Sequence, residues 1–334
     1  MKNPWIAVVG LTFALTLASS CASANRSPAN DPWDCPEIGV SETAIDCPYA
    51  GIARGLLAQV DPSDSSARTS PFLISQLDAR LPVVTDQLRK DAMGSSQWFS
   101  LWGTSINFDE GARGIIVENA LIDALLDLAR GPNRQDRLVH AGVEHTYGYL
   151  FSLLKTSFGY KRARWVQGEI EKGFGISAGT FGPAPREGTL LSNVTHFAGR
   201  IALRDQASAQ KKIDSISGIP NELRGYFHKD LKITRLTETV QSISGYSIRT
   251  DFVEFPNRPA TGNTHLLIYS TLTSQGPQLI TAFPVESGFV SQATKPADLG
   301  SRRPIKTRYN AYLSAITDAP AGSITGSRSV STGW

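Results

Sequence analysis

The segment HAGVEH, from His140 to His145, places two imidazoles and a carboxylate within an otherwise apolar stretch. Five positions separate the histidines, which turns them about 140° apart around a helix, so one unbroken helix cannot present both to a metal ion. His140 and Glu144 stand four positions apart on one face, where a carboxylate can orient an imidazole as a general base. The apolar neighbours also favour a buried helix in which this pair only satisfies a buried histidine.

The segment NVTHFAGRIALRD carries one imidazole and two guanidinium groups at a spacing of four residues, at His196, Arg200 and Arg204. On a helix these side chains share one face. Guanidinium groups bind phosphate and carboxylate through two parallel hydrogen bonds, so this face can bind an anion. The alternative is an amphipathic helix whose outer face forms salt bridges.

The segment YKRARW interleaves basic and aromatic residues and contributes Lys161, Arg162 and Arg164. Such a pattern can bind an anionic polymer. Charge along the chain agrees with this placement, since residues 1–150 hold 11 basic and 17 acidic residues, whereas residues 151–250 hold 15 and 8. A basic middle third favours acidic or phosphate-bearing ligands, although surface lysines and arginines also serve only to solvate helices.

The segment GISAG matches the Gly-x-Ser-x-Gly turn of serine hydrolases, with Ser177 in the position of the nucleophile. That turn requires an apolar strand before the serine and a helix directly after it. Here a charged, helical segment precedes the serine and TFGPAP follows it, so the context opposes this interpretation. A serine esterase would need His196 or a later histidine as its base.

The chain begins with an export-signal pattern, in which Lys2 precedes the short apolar run WIAVVGLTFALTL. The following ASSC, ending at Cys21, resembles the lipobox of bacterial lipoprotein precursors, although Ala18 stands where that pattern prefers leucine. The resemblance implies that residues 1–20 are a signal peptide and that a lipid on Cys21 anchors the exported protein to a membrane of the cell envelope. Ordinary signal-peptidase cleavage after residues 22–24 is the alternative.

The cysteine count agrees with lipidation. The chain has three cysteines, Cys21, Cys35 and Cys47, and an odd number in an exported protein leaves one unexplained. With Cys21 lipidated, a disulfide between Cys35 and Cys47 suits an oxidising compartment and stabilises a region with little core. A metal site would need two more ligands, and the sequence places none nearby. We therefore predict this disulfide within a tether and loop over residues 21–70, and we expect no metal or other cofactor.

The segment THLLIYSTLTSQGPQLITAFPV, followed by KTRYNAYL, resembles the terminal strands of small barnase-, colicin- and toxin-type ribonucleases. Those enzymes cleave RNA without a metal through histidine, basic and hydroxyl side chains on a sheet face. The resemblance covers a small part of the chain and implies His265 as a catalytic residue, with Thr281, Arg308 and Tyr309 beside it.

The elements that must position these residues change along the chain. Residues 71–215 are mainly helical in their apolar spacing, whereas residues 216–318 alternate and are rich in isoleucine, threonine, valine and tyrosine. Leu266–Leu272 and Leu279–Val285 are typical of a hairpin. We predict an α+β fold with a helical N-terminal half, a small antiparallel β-sheet and a flexible tail over residues 319–334.

These features predict an exported cell-envelope lipoprotein that binds an anionic, phosphate-bearing small molecule or polymer. If it is an enzyme, we expect a metal-independent hydrolase or phosphodiesterase, with an imidazole as base and arginines that stabilise the transition state. The alternatives are a non-catalytic envelope module that binds a protein or a glycan, and a serine esterase that uses Ser177.

Overall fold

Helices come first along the chain and the main sheet comes last, so the predicted α+β fold is confirmed. The computed structural model describes residues 47–60, 69–94, 96–109, 111–130, 138–156, 159–226, 230–240, 246–294 and 328–333. All of these residues belong to one unit that begins at Pro32. The predicted signal peptide, Cys21 and Cys35 lie outside the described residues, and so does the side chain of Cys47.

The described part of the chain contains eleven α-helices. They are α1 (Cys47–Leu57), α2 (Thr69–Arg80), α3 (Pro82–Met93), α4 (Ser96–Phe99), α5 (Asn119–Leu128), α6 (Ala141–Thr146), α7 (Glu169–Phe174), α8 (Leu190–Ala202), α9 (Ala207–Asp214), α10 (Asn221–Gly225) and α11 (Ser287–Thr294). Two 3-10 helices, Gly148–Phe151 and Lys161–Trp165, follow α6. None of the described helices is both long enough and apolar enough to cross a bilayer.

Two small antiparallel sheets interrupt the helical half. One pairs β1 (Thr104–Ile106) with β2 (Leu138–His140), and the other pairs β3 (Lys155–Thr156) with β4 (Gly159–Tyr160). Because β2 ends where α6 begins, the first of these sheets fixes the start of α6 and places β1 beside it.

Helix α8 is the central helix of the larger hydrophobic core. Its first turn is closed by a capping box, in which the Thr189 hydroxyl accepts from the Ser192 backbone N–H and the Ser192 hydroxyl accepts from that of Thr189. Every residue of α8 except Arg200 is buried. A helix buried on nearly all sides belongs to the interior of a protein, and α8 accordingly packs against α9, α3, α6 and the sheet.

The main sheet has five antiparallel strands in the order β8-β7-β6-β5-β9. These are β5 (Ile233–Val240), β6 (Tyr246–Glu254), β7 (Asn263–Thr273), β8 (Gly276–Glu286) and β9 (Arg328–Gly333). The predicted hairpin is the β7–β8 pair, closed at Gly276, whose φ of 118° suits only glycine. One face of the sheet contributes to the helical core, and the other face packs against α11.

Strand β9 differs from the sequence expectation of a flexible tail over residues 319–334, because Arg328–Gly333 pair with β5 along six residues. The segment RSVSTG has no apolar alternation that would indicate a strand. An edge strand needs only backbone hydrogen bonds from one neighbour, so its sequence can stay small and polar.

The opposite edge of the sheet is extended by the chain that leads into β1. The Gly103 N–H donates to the Leu279 carbonyl over 2.8 Å, and the Leu279 N–H donates to the Leu101 carbonyl over 2.5 Å. These bonds attach β1, and through it α6, to the edge of β8.

Candidate functional site

His140 is the N-cap of α6. Its Nδ1 accepts from the Val143 N–H over 3.3 Å, and its Nε2 lies 3.1 Å from the Phe99 carbonyl. Burial lowers the pKa of His140 to about 4, so the ring is neutral at pH 7. The sequence predicts a pair with Glu144, but the structure does not form it, because His140 lies outside the helix and both ring nitrogens bond to the backbone.

The carboxylate of Glu144 contacts Ser105 and His145 and not His140. This fully buried carboxylate accepts through Oε2 from the hydroxyl of Ser105 on β1. The same oxygen lies 3.5 Å from Nε2 of His145, which is too far for a well-formed hydrogen bond. Oε1 has no hydrogen-bond partner among the described residues. Among the described residues, the Glu144 carboxylate is therefore hydrogen-bonded through Oε2 only, and it lies beside the ring of His145.

His145 is buried and is the imidazole that sequence reasoning left out of the candidate site. Its ring stacks on Tyr149, with ring centroids 4.6 Å apart and an angle of 25° between the planes. Burial lowers the pKa of His145, and the neighbouring carboxylate of Glu144 opposes this effect. Within the described chain, neither ring nitrogen has a hydrogen-bond partner. Buried polar atoms usually have such partners, so Nδ1 and Nε2 are unusual.

Two cations approach Tyr149 from the second 3-10 helix. Lys161 Nζ lies 5.3 Å from the centroid of the Tyr149 ring, and Arg164 Cζ lies 4.9 Å from it. A 3-10 helix repeats every three residues, so Lys161 and Arg164 share a side. Arg162 instead points into the core, where Nη1 donates to the Ser152 carbonyl over 2.9 Å and the guanidinium covers the ring of Tyr160.

The partners of these two cations differ in charge. Lys161 Nζ forms an ion pair with Asp109 Oδ2 at 3.2 Å. Arg164 Nη1 donates to the neutral hydroxyl of Thr281 on β8 over 3.1 Å, and its guanidinium also lies 4.8 Å from the ring centroid of Phe283. Arg164 forms no ion pair with any described residue. Burial lowers the pKa of Lys161 and that of Arg164, the latter to about 10, so Arg164 remains a cation at pH 7.

We call this group the His145 cluster. Its members come from β1, the turn after it, α6, both 3-10 helices and β8: Ser105, Asp109, Glu144, His145, Tyr149, Lys161, Arg164 and Thr281. The cluster combines a neutral imidazole, a carboxylate beside it and a guanidinium that forms no ion pair with a described residue. A base and a fixed cation in one place can activate water and stabilise negative charge on a phosphoryl group.

The predicted anion-binding face of α8 does not form as an open surface. His196 is completely buried, and burial, followed by Arg200 and Arg224, lowers its pKa to about 4. Arg200 forms an ion pair with Asp214 of α9. Arg204 lies beyond the last residue of α8 and is exposed. The geometry agrees with the salt-bridged alternative, because a helix buried on nearly all sides leaves little surface for a ligand, and Arg200 pairs with Asp214.

The sheet separates the residues that the ribonuclease resemblance groups together. His265 pairs with Val285 in register, whereas Thr281 pairs with Tyr269. Four residues along a strand span about 13 Å, so the two side chains cannot act on one group. Nδ1 of His265 lies 2.8 Å from the hydroxyl of Thr264, while Thr281 contacts Arg164. Arg308 and Tyr309 lie outside the described residues.

Ser177 lies in an exposed loop after α7. Its hydroxyl donates to Glu222 Oε2 over 2.9 Å, and its backbone N–H donates to the same oxygen over 3.2 Å. A helix rather than a strand precedes it, as the sequence context indicates. The serine therefore faces a carboxylate of α10 and lies in a loop held by side-chain hydrogen bonds.

Comparisons of the chain with protein-family models, with curated protein sequences and with solved structures find no match. The described residues also contain no group of three or more histidine, cysteine, aspartate or glutamate side chains that could hold a metal ion. The His145 cluster is therefore the feature of the described chain that indicates a function.

Proposed function

We propose that this protein binds a phosphate-bearing anion at the His145 cluster and hydrolyses a phosphodiester there without a metal. One observation carries the proposal: among the described residues, the buried ring nitrogens of His145 have no hydrogen-bond partner, and Arg164 of the same cluster forms no ion pair. Polar groups left unpaired at one place favour a ligand or reacting group there over a purely structural role.

The proposed reaction assigns roles to three members of the cluster, His145, Glu144 and Arg164. Nδ1 of His145 takes a proton from a water molecule, whose oxygen forms a bond to phosphorus while the bond to the leaving oxygen breaks. The proton then passes to the leaving oxygen, which restores the neutral imidazole. Glu144 stabilises the imidazolium through Nε2, and Arg164 stabilises the negative charge that develops on the phosphoryl oxygens.

Hydrolysis of bis(p-nitrophenyl) phosphate in the presence of a chelator tests this proposal. We expect His145→Gln to lower kcat/KM at least a hundredfold, since a general base contributes about that factor or more. Arg200→Ala, outside the cluster, is the matched control and should retain the activity. A chelator-sensitive activity, or a folded His145→Gln variant with full activity, would contradict the proposal. Binding of an anion without hydrolysis would support the non-catalytic binding module instead.

We also propose that the protein is an exported lipoprotein of the cell envelope, anchored through Cys21. The support is the apolar run followed by ASSC, together with the even cysteine pair that lipidation leaves. Cys21→Ser should release the protein from membranes or block its processing. A variant that fractionates and migrates like the wild type would disprove the anchor. The predicted Cys35–Cys47 disulfide is checked by mass spectrometry of non-reduced digests.

A further inference from the structure

Ser105 lies in the middle of β1 and contacts the carboxylate beside His145. It is completely buried, and its hydroxyl donates to Oε2 of Glu144. The strand fixes the position of this hydroxyl, because Ser105 pairs with Val139 of β2 and the chain just before β1 is hydrogen-bonded to β8. The donor is therefore held in place by the backbone, and it bonds to one of the two carboxylate oxygens.

The choice of oxygen distinguishes this contact from ordinary pairing of a buried carboxylate. Oε2, which accepts from Ser105, is also the oxygen that lies 3.5 Å from Nε2 of His145. Oε1 has no hydrogen-bond partner among the described residues. A buried carboxylate is least costly when both of its oxygens are bonded, so a purely structural role would favour donors at both. The Ser105 hydroxyl instead holds the oxygen that faces the imidazole.

The charge of Glu144 also acts on the two cations of the cluster. Burial is the largest influence on the pKa of Arg164 and on that of Lys161 and lowers both, while the charge of Glu144 acts in the opposite direction. The cations therefore attract the carboxylate as well as His145 does. The hydrogen bond from Ser105 keeps Oε2 beside the ring and opposes a turn of the carboxylate towards the cations.

We infer that Ser105 is a positioning residue, whose hydroxyl holds Oε2 of Glu144 against Nε2 of His145 and so keeps the neutral ring in its Nε2–H tautomer. A carboxylate oxygen beside a ring nitrogen favours a hydrogen on that nitrogen and disfavours a lone pair there. The lone pair is then on Nδ1, the atom that acts as the base in the proposed reaction. The catalytic consequence rests on the proposed function, whereas the tautomer does not.

Ring ¹⁵N chemical shifts at pH 8 test the tautomer, because protonated and unprotonated ring nitrogens resonate at different frequencies. For His145 of the wild type we expect the Nε2–H form. Ser105→Ala should lower the ratio of the Nε2–H to the Nδ1–H form by about tenfold, the effect of losing one hydrogen bond to a charged group. Ser70→Ala is the matched control, since it removes a bond of the same kind, from Ser70 to Asp127 over 2.5 Å, and it should leave the ratio unchanged.

Hydrolysis of bis(p-nitrophenyl) phosphate tests the catalytic consequence. Ser105→Ala should lower kcat about tenfold with little change in KM, because Ser105 acts through Glu144 and not on the substrate. For the same reason, the double variant Ser105→Ala, Glu144→Gln should lose no more activity than Glu144→Gln alone. If Ser105→Ala does not fold, Ser105→Cys takes its place, because cysteine is similar in size but is only a weak donor.

The outcomes separate this inference from the proposed function. An Nδ1–H ring in the wild type, or an unchanged tautomer ratio in the folded Ser105 variant, overturns the positioning role even if the diester is hydrolysed. Additive losses in the double variant also overturn it, since Ser105 would then act by a route other than Glu144. The expected change of tautomer in a protein that does not hydrolyse the diester supports the positioning role and contradicts the proposed catalysis.

Discussion

The histidines of α6 and α8 lie in different electrostatic surroundings, although both helices contribute to the same hydrophobic core. Around α8 the cations have acidic partners: Arg200 pairs with Asp214, and beyond the end of the helix Arg249 pairs with Asp205. Around α6, charged groups from α6, the second 3-10 helix and the turn after β1 meet. In the described chain, Arg164 donates to the neutral hydroxyl of Thr281 and forms no ion pair, and the ring nitrogens of His145 have no hydrogen-bond partner. The number of basic residues in the sequence predicts an anion site at α8. The ion pairs in the structure instead favour a site beside α6, where Arg164 forms no ion pair with a described residue.

The ion pairs near the end of α8 have a structural role. Arg235 donates to Asp251 over 2.6 Å and also to the carbonyl of Ala202, the last residue of α8. Asp251 is fully buried, and burial raises its pKa even though Arg235 opposes that shift. These contacts attach α8 to the sheet, so we expect their loss to affect stability and not ligand binding.

The largest effect should come from Arg235→Met, which leaves the buried carboxylate of Asp251 without its main partner. Removing one member of a buried ion pair costs about 3–5 kcal/mol in the free energy of unfolding. Chemical denaturation measures this loss. The double variant Arg235→Met, Asp251→Leu should recover most of the stability, since no unpaired charge remains. A single variant that loses less than about 1 kcal/mol would show that the pair is not needed to hold α8.

The next largest effect on stability concerns Asp91 of α3, which contacts both the end of α6 and the start of α8. Its carboxylate accepts from the Tyr147 hydroxyl at the end of α6 over 2.6 Å and from the Thr189 hydroxyl at the start of α8. Burial raises the pKa of Asp91 from 3.8 to about 7. The native state therefore holds a proton that the unfolded state has lost, and this contribution to stability declines as the pH rises from about 4 to about 7.

Asp91→Asn removes that pH dependence. The free energy of unfolding of the variant, relative to the wild type, should rise by about 3 kcal/mol between pH 4 and pH 8. The comparison with the wild type cancels the opposite contribution of His140 and His196, which destabilise the native state as the pH falls. A relative stability that stays constant over this range would mean that Asp91 is ionised throughout.

A smaller loss is expected at the start of α6. His140→Ala removes the cap and should lower the free energy of unfolding by about 1–2 kcal/mol. His140→Asn is the matched control, because asparagine can cap the helix, and it should lose less. Both variants should bind dimethyl phosphate as the wild type does. A strong loss of binding in His140→Asn would return His140 to the functional site.

The smallest effect should come from Arg200→Ala, which removes an ion pair whose arginine and aspartate side chains are 28% and 55% exposed. Such pairs contribute about 0–1 kcal/mol, so we expect a small shift in melting temperature. Dimethyl phosphate should stabilise this variant as much as the wild type. If the stabilisation disappears, the anion binds at α8 and the comparison is reversed.

The fold class could be predicted from the sequence because the apolar spacing changes from helical to alternating near residue 216. The β7–β8 hairpin was predictable for the same reason, since both strands carry strong β-formers. Strand β9 was not, because its sequence lacks an apolar pattern and its stability comes from pairing with β5. Periodicity identifies elements with a buried face, and it does not identify an edge strand that a neighbour supplies with hydrogen bonds.

The candidate site was predictable only in part. The sequence indicated Glu144, Lys161 and Arg164, but it paired the carboxylate with His140, since a spacing of four residues implies one helical face. Helix α6 starts one residue too late for that pair. The contacts of Ser105 and Thr281 depend on where β1 and β8 meet α6 and the second 3-10 helix, which local spacing does not encode. In the segment KRAR, Lys161 and Arg164 are three residues apart. On a 3-10 helix this spacing places them on one side and Arg162 on another, which is the one local signal that distinguishes Arg162 from the other two.

The central claim is that His145 and Arg164 form one anion site, and the imidazole signals of the protein report on it directly. The chain has five histidines, whose ring ¹⁵N resonances can be assigned by single substitutions. On titration with dimethyl phosphate, we predict a saturable shift of the His145 ring resonances, no shift for His140 and His196, and loss of the effect in Arg164→Met. Unchanged His145 resonances at saturating ligand, or the same shift in Arg164→Met, would contradict the account.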